Sequence, residues 1–286
     1  MGRVEGKVAF ITGAARGQGR SHAVKLASEG ADIIAVDLCH NVDSITYAMA
    51  TPEDLEETAR LVEKEGRRIV TVQADVRIAE QMRAAAKQGI DELGKIDIVV
   101  AQAGVAGMRG EPQVAAWSDT VDINLVGTIN AVQAALPYLN EGASIIATGS
   151  TAALMDVSKK DQPGKDLGGA AYVFSKRALT HFIHDLATHL APRGIRANVL
   201  HPTNCNTDML QSETMYKSFR PDLEHPTRAD AEPVFSVQQA MKIPYIEVED
   251  SSNMVLFLAS EESRYVTGMQ MRVDGGGYLK WYDHHL

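Results

Sequence analysis

The sequence predicts a doubly wound α/β fold built on a parallel sheet. Apolar runs of strand length recur at Val8 to Ile11, Ile33 to Val36, Ile69 to Val72, Ile96 to Ala101, Ser144 to Thr148 and Arg196 to Leu200, with helix-like stretches between them. The runs are apolar throughout rather than alternating. A strand covered on both faces has no solvent side to keep polar, and parallel neighbours need crossover connections, which helices supply.

The first run leads into Thr12-Gly13-Ala14-Ala15-Arg16-Gly17-Gln18-Gly19, with glycines spaced GxxxGxG, and a helix follows. Glycines suit a backbone that turns sharply and approaches a pyrophosphate, whose charge is met by amides at the helix amino terminus. The fold is therefore expected to be a Rossmann-type dinucleotide-binding domain. No GxxxxGK[ST] segment is present, which argues against a P-loop phosphotransferase. Ser28-Glu29-Gly30 closes the first helix with glycine at a left-handed cap, and Thr51-Pro52-Glu53-Asp54 opens another with a cap followed by proline.

Asp37 ends the second run, with Leu38 next to it. An acid here can accept hydrogen bonds from both ribose hydroxyls and would repel a 2′-phosphate, favouring NAD over NADP. Arg16 is a cation within reach of such a phosphate and points the other way. Asp75-Val76, after the third run, occupies the adenine edge; a cap on the following helix is an equally good reading of Asp75.

One domain is expected over residues 1–286, since no Pro/Gly/Ser-rich linker, repeat or low-complexity tract divides the chain. Three stretches exceed a minimal fold of this kind: Leu38 to Ala50, Leu154 to Gly169 and Thr207 to Asp250. All follow strands, on the carboxyl edge where ligands bind in open α/β sheets, although surface decoration explains them equally well. The formal charge of -9 disfavours a nucleic-acid partner or an anionic membrane surface. The longest apolar runs are strand-length and the first residues carry no signal-peptide pattern, so a cytoplasmic protein is expected. Cys39 and Cys205 are too few for a disulfide framework.

The chemistry is concentrated in Ala171-Tyr172-Val173-Phe174-Ser175-Lys176, downstream of Ser150. Positions i and i+4 of a helix share a face, so the Lys176 ammonium can approach the Tyr172 phenol and favour its ionised form. An unperturbed phenol titrates near pH ~10, too high for an efficient base at neutral pH. With Ser150 orienting a substrate oxygen, Tyr172 can take a proton from an alcohol while the carbon gives up hydride to a nicotinamide.

On these residues the chain resembles the short-chain dehydrogenase/reductase family over nearly its whole length. Gly13, Gly17 and Gly19 match the family's glycine motif, with Arg16 and Gln18 between them. The resemblance implies that Asn124 holds a water for proton relay, Ser150 polarises the substrate, Tyr172 is the acid/base, and Lys176 binds the nicotinamide ribose and acidifies the phenol. It also implies that the segment His201 to Thr207, with Pro202, Thr203, Cys205 and Thr207, lies along the nicotinamide. Val266-Thr267-Gly268 and Val273-Asp274-Gly275-Gly276 match the carboxyl-terminal strand region. Gln102-Ala103-Gly104 stands where the family has Asn-Ala-Gly, and the spacing from Ser150 to Tyr172 is wide. The segments after Asp37 and before Tyr172 resemble a narrower subgroup, the mycofactocin-coupled, carveol-dehydrogenase-like enzymes. That resemblance implies tightly held NAD, a secondary alcohol or ketone substrate of terpenoid type, a homotetramer and a dedicated redox partner for bound NADH. A 3-oxoacyl thioester reductase and a non-catalytic dinucleotide-binding regulator remain the alternatives; the first would favour NADP and a basic patch, and the second would have lost Tyr172 or Lys176.

His181, His184 and His189 cluster without a metal-binding signature and read as a surface or interface helix. Met209, Met215, Met241 and Met254 read as packing or as the lining of an adaptable apolar pocket. The tail with Trp281, Tyr282, His284 and His285 reads as a subunit contact or a frayed end.

Overall fold

Residue 10 of the first strand faces one side of a sheet and residue 11 the other, and both are fully buried. That double burial explains why the strands are apolar throughout. In the computed structural model, which describes residues 2–155 and 166–282, seven parallel strands form one sheet in the order β3-β2-β1-β4-β5-β6-β7. They are β1 (Val8–Thr12), β2 (Asp32–Asp37), β3 (Ile69–Gln73), β4 (Ile98–Ala101), β5 (Ser144–Thr148), β6 (Arg196–Pro202) and β7 (Gln270–Val273). The run from Ile96 enters β4 at Ile98; Asp97 just before it donates its N–H to the Val8 carbonyl at 2.9 Å and accepts the Val8 N–H on its carboxylate at 2.8 Å, at the sheet's amino edge.

On one face, α3 (Ala79–Leu93), α5 (Gly127–Ala135) and α6 (Leu167–Leu190) pack on Val8, Phe10, Ile34 and Ile145. On the other, α1 (Gly17–Ser28), α2 (Pro52–Lys64) and α9 (Val248–Ala259) cover Ala9, Ile11, Ile33 and Ile146. Burying each large aliphatic side chain contributes about 1.5–3 kcal/mol, so strands that are apolar on both faces stabilise the three-layer arrangement. Helix α1 ends at Ser28 with Gly30 at φ 98°, and Thr51 and Asp54 form a capping box ahead of Pro52. The strand order reverses between β1 and β4, opening a crevice at the carboxyl ends of both strands.

The segment after β2 crosses that edge without regular structure before α2. The segment after β6 instead folds into α7 (Glu213–Phe219) and α8 (Arg228–Phe235), which enclose a small core of their own made of Leu210, Ala231 and Phe235 against Met215, Tyr216, Phe219 and Tyr245. Its two stems meet at a bridge between Cys205 and Ile246, where Asn206 N–H donates to the Ile246 carbonyl and Ile246 N–H to that of Asn204, each at 2.9 Å. Most of the expected Leu154 to Gly169 segment lies outside the described residues, as do the last four residues of the tail. The remaining helices are α4 (Gln113–Val121), packed against α6 through Trp117 and Phe174 with ring centroids 5.7 Å apart, and α10 (Gly277–Tyr282).

Candidate active site

The glycine turn is held by close backbone contacts. Gly13 has φ 68°, and a Cβ there would stand 2.8 Å from Ala103 Cα; a Cβ on Gly19 would lie 1.9 Å from the Gly13 carbonyl oxygen. No side chain caps the amino terminus of α1, since Arg16 at the cap position makes no such bond. Its first-turn N–H groups are left for an anion, an arrangement that fits the pyrophosphate of a dinucleotide. Asp37 closes the adjacent wall, accepting from Ala15 N–H at 2.9 Å and Cys39 N–H at 3.3 Å. Burial raises its pKa, and the amides of Ala15, Cys39 and Leu38 together with the Arg16 charge oppose that rise.

Two cavities adjoin along the carboxyl edge, one of about 150 Å³ over the glycine turn and one of about 1090 Å³ beside Tyr172. Gly13, Arg16, Gly17, Gly19, Asp37, Leu38, Asp75, Val76 and Ala103 line the smaller cavity. Ser150, Tyr172, Lys176, Pro202, Thr203 and Cys205 line the larger, and Gln18, Gln102, Gly104 and Thr207 line both. Asn124 stands behind the wall, fully buried in a π-helical turn (Asp122–Val126). Its Oδ1 accepts from Val105 N–H at 2.8 Å, and its Nδ2 donates to the Val105 carbonyl and to Ser175 Oγ. The side chain is thus committed to pinning the Gln102 to Val105 loop.

The Ser150 hydroxyl and the Tyr172 phenol line the same cavity, and Ser150 opposes the rise of the phenol's pKa. Ser150 is braced from beneath by buried His201, whose Nδ1 lies 3.1 Å from Ser150 N and 2.9 Å from its carbonyl oxygen; burial lowers this imidazole to about 4, so it is neutral. Lys176 does lie on the same helical face as Tyr172, with Nζ 5.9 Å from the ring centroid, but it donates to the Thr148 carbonyl at 2.7 Å. The expected acidification of the phenol is therefore not present in this arrangement: burial pushes Tyr172 up, opposed only by Ser150, while burial lowers Lys176 to about 8. Desolvation of both groups outweighs a cation more than a hydrogen bond away.

Other expectations are corrected by their contacts. Asp75 does not cap α3, whose cap residue is Ile78; its carboxylate is held by Arg77, which also binds Asp119 at 2.7 Å. Arg16 is not free for a 2′-phosphate. It pairs with Asp208 at 3.1 Å and donates to the Ala48 carbonyl at 2.5 Å, tying the segments after β6 and β2 together above the smaller cavity. Among the methionines, Met209 and Met215 line the larger cavity, Met254 packs in the core and Met241 is exposed. His181, His184 and His189 are exposed on α6, and among the described residues no three His, Cys, Asp or Glu side chains gather as a metal site. Both thiols are buried and raised to about 12.

Several contributors carry no local sequence signal. Tyr47, after β2, lines the smaller cavity and accepts the Ala106 N–H at 3.1 Å. Met108, Met155 and Phe219 supply apolar wall to the larger one. A tyrosine in an insertion beside an acid-terminated strand was the available hint for the first; the others depend on long-range folding.

A parallel sheet whose strand order reverses beside an uncapped glycine turn defines a Rossmann-type α/β protein. Residues 7–217 match the family model described as short chain dehydrogenase. The chain is 42% identical to (-)-trans-carveol dehydrogenase of Rhodococcus erythropolis, over 98% of this chain and 100% of that one. Among solved structures, carveol dehydrogenase from Mycobacterium avium in complex with NAD is similar with a TM-score of 0.90 and 44% identity, covering 98% of this chain and 100% of that one. A short chain dehydrogenase from Mycobacterium paratuberculosis bound to NAD follows at 0.84 and 40%, over 97% and 100%. The chain belongs to the short-chain dehydrogenase family.

Proposed function

We propose that this protein is an NAD-dependent oxidoreductase that interconverts a hydrophobic secondary alcohol of terpenoid type and its ketone. The observation that carries this reading is the convergence of the Ser150 hydroxyl, the Tyr172 phenol and the Lys176 ammonium on one wall of a largely apolar cavity that opens into the glycine-turn cleft. Bound NAD supplies the hydride acceptor, and NADH the donor. Residues around the glycine turn and Asp37 hold the dinucleotide, and Tyr172, Lys176 and the segment Pro202 to Thr207 flank its nicotinamide end. Ser150 orients the substrate oxygen. Tyr172 takes the hydroxyl proton in oxidation and returns it in reduction, and Lys176, on the same helical face, holds the nicotinamide ribose. Asn124 keeps the Gln102 to Val105 loop in place and supports the proton path behind it. Met108, Met155, Met209, Met215 and Phe219 exclude water and accept a ring-shaped apolar body. The relatives named for carveol support the same class. Oxidation of carveol by the purified protein, with an artificial electron acceptor present, tests this; no turnover across a panel of cyclic secondary alcohols would overturn it.

Cofactor choice follows Asp37. Replacing Asp37 with Ser and Leu38 with Arg removes the carboxylate and adds a cation, and is expected to reverse preference from NAD toward NADP by at least about tenfold in kcat/KM. A wild-type protein that uses both equally would remove Asp37 from this role.

The Arg16 clasp keeps the dinucleotide from leaving between turnovers, so a dedicated redox partner of the mycofactocin type reoxidises NADH in place. An ion pair with exposed Asp208 contributes only ~0–1 kcal/mol, and the carbonyl bond a similar amount. Arg16→Ala is accordingly expected to speed NADH release about three- to tenfold, read by stopped-flow fluorescence; an unchanged rate places the barrier elsewhere. The assembly is a homotetramer in the cytoplasm, with exposed Val114 and Phe174 on α4 and α6 available for a subunit contact. Native mass spectrometry reads both the subunit count and copurified NAD. Among the described residues no helix is long and apolar enough to cross a membrane.

A further inference from the structure

Gln102 stands where the two cavities meet and lines both. Its Oε1 accepts from Thr148 Oγ1 at 2.5 Å and lies 3.1 Å from His22 Nε2. The carbonyl end of the amide faces Thr148, whose hydroxyl donates to it. An acceptor opposite the imidazole places the proton on His22 Nε2, and Nδ1 then accepts from Ser252 Oγ at 2.8 Å, which turns the serine hydroxyl away from the Val248 carbonyl 2.9 Å from it. His22 is completely buried between α1 and α9, and burial lowers it to about 4, which keeps this neutral form. Ser252 Oγ is in turn 2.7 Å from Ser21 Oγ. With Oε1 held by two donors, the Gln102 Nε2 group has no partner among the described residues, yet it is not a buried orphan. It opens on the cleft.

We propose that His22 and Gln102 form a positioning pair that aims the Gln102 amide N–H groups at an acceptor in the central part of the bound dinucleotide, between its adenosine and nicotinamide ends. This rests on the dinucleotide-dependent reading above. The family's usual asparagine is one methylene shorter. The longer side chain here meets a histidine on α1 and a threonine on β5 with one end and fronts both cavities with the other. His22 does not touch the cofactor; it fixes which end of the amide does.

The test uses full-length protein freed of nucleotide and two probes, NADH and AMP, the second confined to the adenosine side. Gln102→Met keeps side-chain length without a donor and is expected to weaken NADH binding about tenfold, the loss of one hydrogen bond to a charged or polar acceptor, while AMP binding stays within about twofold. His22→Met should weaken NADH similarly, and His22→Gln, whose amide nitrogen can replace the ring Nε2–H, should restore it. The double Gln102→Met, His22→Met variant should bind no worse than Gln102→Met alone, because the histidine acts only through the glutamine. Thermal melting checks each variant; Gln102→Met, at a cavity wall, keeps the test available if the His22 variants do not fold. NADH binding by Gln102→Met within twofold of wild type, an equal loss of AMP, or multiplying losses in the double variant would each overturn the proposal. A wild-type protein that binds no NADH at all would instead remove the dinucleotide reading itself.

Discussion

Tyr172→Phe is expected to lower kcat for alcohol oxidation by about 10² to 10⁴-fold while leaving NADH affinity within about twofold. General acid/base groups contribute on that scale, and loss of one hydroxyl at a cavity wall preserves shape. Phenylalanine also forgoes the phenol's interaction with Ser150, so the serine is freed to hydrate and no new strain is introduced. Wild-type oxidation should climb with pH as the raised phenol ionises, and reduction should decline as the proton donor is lost; the variant should show neither dependence. Stopped-flow hydride transfer and NADH titration separate the two quantities. A variant retaining more than a tenth of wild-type kcat would displace Tyr172 from the reaction.

Gly19→Ala is expected to abolish dinucleotide binding, with NADH affinity down at least about a hundredfold. The added methyl would occupy space 1.9 Å from the Gly13 carbonyl oxygen, a main-chain atom that cannot rotate away. Either the first turn of α1 shifts or Gly13 moves against Ala103, and both displace the amides that face the anion. Overpacking of this kind costs about 1–3 kcal/mol, so the melting temperature should also fall. Gly6→Ala provides the comparison: at φ 70° with open space around it, it should lose some stability and keep NADH binding. Binding by Gly19→Ala within a few fold of wild type would show that the turn is not the anion site.

The sheet and the glycine turn were legible because their causes are local. Double burial forces continuous apolar runs, and a strand that turns into a helix over a pyrophosphate needs glycine at particular positions. Tyr172 and Lys176 were legible through helical spacing, which brought them to one face. What spacing could not give was the balance of energies there: Lys176 reaches the Thr148 carbonyl instead of the phenol, and desolvation governs both groups. The link between His22 and Gln102 spans 80 residues, and Arg16 meets Ala48 and Asp208 from two widely separated later segments of the chain. Such pairings leave no periodicity to read. Asp75 illustrates the converse, since a residue type suited to a cap was claimed by an arginine two positions on.

The segment between Cys205 and Ile246 has its own small core, and its two stems are joined by the bridge between those residues. In engineering terms it is a cassette. Its Met209, Met215 and Phe219 shape the apolar wall, whereas the groups assigned to the reaction sit just after β5 and on α6 and share no core with it. Exchange of residues 206–245 for the equivalent stretch of a relative should therefore transplant substrate range without retuning the chemistry, which is how one catalytic frame can serve many alcohols while its loops diverge.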